Sequence, residues 1–269
     1  MKDLILAQDG IFPITKGLNG ESLTPKTGFA ISGTIQGEGK LAGVPSLFIR
    51  LYGCNLNCAW KSSDNKVVRC DTPHAIDPHM TTEKWAVSSL LEVVKQNMGN
   101  MRHLVITGGE PLLQKSALVD FLREAKQWKS DLHVTIETNG TMFSASLCKY
   151  VDLFSVSPKL TSSNALGKKV SMDLVVENVG RYTLARLRNK IDLQLKFVIS
   201  SLDDLNELET LFMDPLSHAS DDDVLLMPMG IGDEAYQTLQ NKVCEWAIER
   251  GWRFAPRLHL LLFGHTENT

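Results

Sequence analysis

Short apolar runs and amphipathic stretches alternate along most of this chain. "PSLFIRLYG" (45–53) is apolar, ends in glycine and reads as a buried strand. "TTEKWAVSSLLEVVKQNMGN" (81–100) carries Trp85, Leu90, Leu91 and Val94 on one helical face. It has a threonine start, Glu83 as capping partner and Gly99 as stop, and reads as an amphipathic helix. The same reasoning predicts strands at 103–109, 132–140, 153–158, 192–200 and 223–230, and helices at 116–128, 202–213 and 233–251. Such alternation predicts an α/β fold with a largely parallel sheet, open or barrel-like. Residues 1–27, with Pro13, Gly17, Gly20 and Pro25, read as an irregular N-terminal extension, which leaves 28–269 as a single domain. "SDDD" (220–223) reads as a solvated loop before a strand.

Polar and glycine-rich pieces recur at the C-terminal ends of the apolar runs. They are Cys54, then Thr107-Gly108-Gly109-Glu110, Glu137-Thr138-Asn139-Gly140, Ser157-Pro158-Lys159 and Met227-Pro228-Met229-Gly230. One such turn merely ends a strand; several in register point to a single active-site face, because parallel sheets bind ligands at that edge.

Composition narrows the options. The chain has 269 residues, 43% apolar and 22% charged, which suffices for a real core. A net charge of −3 provides no global attraction to nucleic acid or anionic membrane. The N-terminus has an apolar run too short for a signal peptide, and no stretch approaches a membrane span. A cytoplasmic location is expected, where clustered cysteines suggest metal before disulfide.

Three of the five cysteines lie in "GCNLNCAWKSSDNKVVRCDT" (53–72). Structural zinc takes four ligands; Cys54 and Cys58 make one pair, Cys70 has no cysteine partner, and His74 would have to be the fourth. An iron–sulfur cubane normally takes four thiolates. With three, one iron stays open for a substrate or cofactor, an arrangement that suits S-adenosylmethionine. Cys148 and Cys244 fall in expected helices and read as small core residues.

The more specific motifs are "TIQGEG" (34–39), "AGVPSLFIRLYGCNLNC" (42–58), "CDT" (70–72), "ITGGEPLLQ" (106–114), "IETNGT" (136–141), "SVSPK" (155–159), "LKFVIS" (195–200), "LLMPMG" (225–230) and "PRLHLLLFG" (256–264). In this order they resemble the 7-carboxy-7-deazaguanine synthases of the radical S-adenosylmethionine superfamily. One departure stands out: "KSSDNKVVR" (61–69) is inserted between Trp60 and Cys70. Its removal restores the common C-x3-C-x2-C-D-T loop.

The resemblance implies a partial, TIM-like barrel with its active site at the C-terminal ends of the strands. It implies ring contraction of 6-carboxy-5,6,7,8-tetrahydropterin to 7-carboxy-7-deazaguanine with loss of ammonia. The implied cofactors are a [4Fe–4S] cluster on Cys54, Cys58 and Cys70, S-adenosylmethionine, and Mg²⁺ at Thr72. Gly109, Glu110, Asn139, Ser157, Pro158, Lys159, Met227, Pro228, Met229 and Gly230 match stretches that contact the S-adenosylmethionine. Ile35, Gln36, Gly37, Arg50 and Thr107 match the substrate side, with Arg50 as carboxylate partner. Lys196 is an active-site charge or a strand-end residue; His259 precedes a tail, "HTENT", that matches the family poorly. A low-potential electron donor such as a flavodoxin or ferredoxin, and a homodimer, are also implied. The alternatives are another radical enzyme of the superfamily, such as a glycyl-radical activase, or a zinc-stabilised binding module.

Overall fold

A computed structural model of the protein describes residues 3–61, 67–164, 171–189, 191–217, 219–230 and 234–269. Its strands are β1 (Leu4–Phe12), β2 (Thr34–Ile35), β3 (Pro45–Leu51), β4 (Ala59–Lys61), β5 (Val67–Arg69), β6 (Thr82–Trp85), β7 (His103–Gly108), β8 (His133–Thr138), β9 (Leu153–Val156), β10 (Asp192–Ile199), β11 (Val224–Pro228) and β12 (Arg253–Phe254). The helices are α1 (Val87–Met98), α2 (Lys115–Trp128), α3 (Met172–Asn189), α4 (Leu202–Leu216), α5 (Glu234–Arg250) and α6 (Leu258–Phe263).

The main sheet runs β12-β11-β10-β9-β8-β7-β3-β1-β6. From β3 to β12 every neighbouring pair is parallel and follows chain order. β1 is antiparallel to both β3 and β6. The sheet does not close, in keeping with the partial barrel expected. Its central strands are buried on both faces, as "HLVIT" in β7 shows, which is why they read as continuous apolar runs rather than alternating ones. The outer faces of the strands pack on Leu90, Val94, Leu118, Phe121, Leu122, Val175, Val179, Leu208 and Phe212 from α1 to α4.

Two expectations need correction. Residues 1–27 are not irregular throughout, because Leu4–Phe12 is a strand inside the main sheet. Its pattern is broken by a register shift between Leu6 and Ile11, with Asp9 at a φ of 53°, so local alternation hides it. The stretch from Thr82 to Trp85 is a strand, and α1 starts only at Val87 with no side-chain cap. Pairing with β1 overrides the local capping pattern there. α3 lies in a segment to which no element is assigned above, and Asp233, taken as the start of the last long helix, lies outside the described residues.

Candidate active site

At the C-terminal ends of the parallel strands lies a cavity of about 540 Å³. Two groups of side chains line it: the thiols Cys54, Cys58 and Cys70, and the charged residues Arg50, Glu137 and Lys196.

The cysteine loop leaves β3 and is tied down by backbone. Gly53 N–H donates to Ala75 O at 2.8 Å, and Glu110 N–H donates to Gly53 O at 2.8 Å. Gly109 is required by this approach: a Cβ there would sit 2.1 Å from Gly53 O. The insertion forms the stem of a hairpin, β4 paired antiparallel with β5, whose residues 62–66 lie outside the described ones. The stem turns the chain back so that Cys70 N–H donates to Cys58 O at 3.1 Å. Trp60 is buried on it, whereas Val67, Val68 and Arg69 are exposed; Trp60, Val68 and Arg69 also line the cavity.

Burial pushes all three thiols up, Cys58 to about 11, while Lys159 partly opposes this at Cys58 and Cys70. Asn139 Nδ2 reaches Asn55 Oδ1 at 3.0 Å and Cys54 Sγ at 3.8 Å, and its Oδ1 accepts from Thr141. Ligands of one zinc ion stand about 4 Å apart, given Zn–S bonds of about 2.3 Å. No three His, Cys, Asp or Glu side chains among the described residues converge in that way. The three thiols expected to hold a cluster line one cavity. Cys148 and Cys244 are half-buried, away from this cavity.

In the charged group, Arg50 lies with its guanidinium carbon 4.8 Å from the ring centre of Phe12, which stacks on Phe48. Its Nε is buried without a hydrogen-bond partner. Burial lowers its pKa, opposed by Glu137, Asp71, Glu267 and Cys70. Glu137 is held by two donors, Thr107 Oγ1 at 2.7 Å and Gln36 Nε2 at 3.1 Å. Lys196 and Glu38 form a short ion pair. Burial would push the Glu38 carboxyl up, but Lys196, His259 and Arg257 outweigh it and hold Glu38 at about 2. The same pair raises Lys196 against its own burial. Thr72 Oγ1 donates to Asp71 Oδ1 at 3.0 Å, which puts two hard oxygens beside Cys70.

Most expected site residues line the cavity: Ile35, Gln36, Gly37, Arg50, Thr72, Thr107, Gly109, Asn139, Ser157, Lys159, Met227, Met229 and Gly230. Glu110, Pro158 and Pro228 do not. Glu110 is fully buried and accepts from Leu112 N, Thr138 Oγ1 and Asn139 N, so it braces two turns instead of facing a ligand. Burial raises its pKa, and these donors oppose the rise. Pro228 lends its carbonyl to Arg257 Nη2 at 2.9 Å. Thr107 spends its proton on Glu137, which leaves its oxygen only as an acceptor. The tail enters the cavity after all: His265 to Thr269 line it, and Glu267 stands 3.6 Å from His74. Glu38, Glu137, Asp71 and Arg257 also line it. Glu38 and Glu137 sit inside motifs quoted above and were legible as carboxylates at the sheet edge; the tail has no such signal.

Comparison with known proteins agrees with this arrangement. A family model described as a 4Fe-4S single cluster domain matches residues 35–165. The 7-carboxy-7-deazaguanine synthase of Halobacterium salinarum is 36% identical over 248 residues, spanning 88% of this chain and 90% of that one. The synthase of Rhodopirellula baltica is 34% identical over 260 residues, 93% and 92% of the two chains. The crystal structure of QueE from Escherichia coli shares the fold, with a TM-score of 0.57 at 24% identity over 93% of this chain and 95% of that one. At 36% identity over 88% of its length to such a relative, the chain belongs to the 7-carboxy-7-deazaguanine synthase family.

Proposed function

We propose that the protein converts 6-carboxy-5,6,7,8-tetrahydropterin to 7-carboxy-7-deazaguanine with release of ammonia, in 7-deazapurine (queuosine-type) biosynthesis. The observation that carries this reading is Arg50. A cation with an unpartnered buried Nε lines a cavity sized for a small molecule, together with three thiols. A planar guanidinium takes a carboxylate through two parallel hydrogen bonds.

Cys54, Cys58 and Cys70 would hold a [4Fe–4S] cluster, with S-adenosylmethionine beside Gly109, Asn139, Ser157, Lys159, Met227, Met229 and Gly230. Bound together, these groups supply the carbon radical that begins the chemistry. Thr72 and Asp71 offer the oxygen donors that Mg²⁺ prefers.

The chain's own residues orient the substrate. Arg50 binds its carboxylate, and Phe12 and Phe48 provide an apolar shelf next to that charge. Glu137, its two oxygens already fixed by Thr107 and Gln36, accepts ring N–H groups. Lys196, kept protonated by Glu38, offers a donor to a ring oxygen. The tail from His265 narrows access of water. A cavity of this size favours a small substrate over a partner protein's glycine. Use of a low-potential carrier such as a flavodoxin or ferredoxin, a homodimeric state and a cytoplasmic location are parts of the same proposal. No helix among the described residues is long and apolar enough to cross a membrane.

The test is anaerobic incubation of the reconstituted protein with S-adenosylmethionine, reductant, Mg²⁺ and the carboxypterin, with mass analysis of the products. Cleavage of S-adenosylmethionine without a deazaguanine product would leave a radical enzyme with another substrate. A colourless, iron-free protein that binds zinc would defeat the reading entirely.

A further inference from the structure

The open sheet separates β3 from β10 by three strands, and the segment between β2 and β3 bridges that separation. Two rungs make the bridge. On the cavity side Gln36 holds Glu137, and Glu38 pairs with Lys196. Behind them, outside the cavity, Lys40 N–H donates to Gln194 Oε1 at 2.8 Å. The Lys40 ammonium reaches Asp192 Oδ1 at 2.8 Å and Asp223 Oδ1 at 2.6 Å.

The second rung is anchored firmly. The Asp223 side chain is 1% exposed, and its other oxygen accepts from Arg186 Nε at 3.1 Å and Ser220 N at 2.9 Å. Gln194 is fixed in turn by donating to Ser155 Oγ at 2.7 Å. Gln194 and Lys196 are two apart on β10 and so share a face. Whatever holds Lys40 against Gln194 therefore also sets how Glu38 meets Lys196.

We propose that Lys40 is a positioning residue for substrate binding: its ion pairs with Asp192 and Asp223 hold residues 36–41 against β10, so that Gln36 and Glu38 keep Glu137 and Lys196 aimed into the cavity. This rests on the reading that these residues take the pterin. Lys40 touches no ligand itself. Its effect passes through Glu137 and Lys196 and spares the thiols.

The experiment compares reconstituted wild type with Lys40→Met, Lys40→Arg and Asp192→Asn. Lys40→Met is expected to raise KM for the carboxypterin about 10-fold with kcat within about 2-fold, the signature of lost binding that does not change between ground and transition states. Affinity for S-adenosylmethionine stays at the wild-type value. Lys40→Arg, which keeps the charge, restores most of the KM. Asp192→Asn removes only the half-exposed partner, shifts KM in the same direction by less, and serves if Lys40→Met does not fold. Hydrogen exchange on the ligand-free protein is a second readout: residues 36–41 exchange faster in Lys40→Met while β7 and β8 do not change. An unchanged KM in folded Lys40→Met, or a fall in kcat alone, overturns the proposal. If wild type does not turn over the carboxypterin, the functional reading fails by itself. Exchange then decides, and unchanged protection of 36–41 overturns the clasp.

Discussion

The two groups of residues that line the cavity are prepared in opposite ways. On the substrate side Glu38 and Lys196 neutralise each other and Glu137 has its two donors before any ligand arrives, while Arg50 Nε lacks a partner. The thiol side is unfinished. Its cysteines are pushed towards the neutral form by burial, and a thiol must lose its proton to bind metal. One group is ordered by the fold, and the other waits for what it will hold. Substitutions on the thiol side should therefore erase the cofactor and leave the fold, whereas those on the substrate side should change affinity or stability and leave the cofactor.

The largest effect is expected among the thiols. Cys54→Ala, Cys58→Ala and Cys70→Ala each abolish cluster-dependent cleavage of S-adenosylmethionine, while Cys148→Ala and Cys244→Ala retain it. Iron content and visible absorbance measure this, and loss of iron in Cys148→Ala alone would redraw the ligand set. Next comes Arg50. Arg50→Ala should weaken carboxypterin binding by about 100-fold or more, since leaving one partner of a buried charged pair alone costs on the order of 3–5 kcal/mol. Arg50→Lys rescues poorly, because a point charge cannot reproduce two parallel hydrogen bonds. Anaerobic calorimetry at constant iron content reads both; near-normal affinity in folded Arg50→Ala would remove Arg50 from the site.

A smaller effect concerns acid. Glu38 is held at about 2 against an ordinary value of 4.5. A depressed carboxyl contributes stability that is fully present above 4.5 and is lost as pH falls from there through 2. The shift corresponds to on the order of 3 kcal/mol. Glu38→Gln should lower stability near neutrality and flatten its decline between pH 5 and 3, as followed by urea unfolding. Equal pH slopes in both proteins would contradict it. The smallest effect is expected from deleting 61–69. Iron content should stay close to wild type, because the deletion joins Trp60 to Cys70 and restores the family's short spacing; an iron-free but folded deletion mutant would show that the stem shapes the site.

Much of the fold was readable because parallel strands covered on both faces are continuous apolar runs. "HLVIT" and "LLMP" announce themselves without knowledge of any partner. β1 and β6 do not, since β1 is a strand by pairing with β3 and β6, β6 only by pairing with β1, and Thr82–Trp85 carries a plausible helix start. That the thiols line the cavity was legible from residue type and spacing, and that Arg50 does so from the family motif around it. Glu110 was misread because a motif shows which residues sit near a turn, not which way they face; burial turned its carboxylate onto Thr138 and Asn139. The tail was missed for the converse reason: it lines the cavity through tertiary placement, with no local pattern to mark it.

The hairpin stem has a consequence for engineering. Because β4 and β5 meet before the chain reaches Cys70, the ligand's position does not depend on how much polypeptide lies beyond the stem. The cost of closing a flexible loop grows only with the logarithm of its length, about 0.6 kcal/mol for each doubling. A fluorescent peptide, or a small domain whose termini lie close together, grafted beyond Lys61 and Val67 would ride next to the cluster without moving its ligands. The enzyme thus carries a ready port for a reporter, one that senses the cofactor side of the cavity and leaves the pterin side alone.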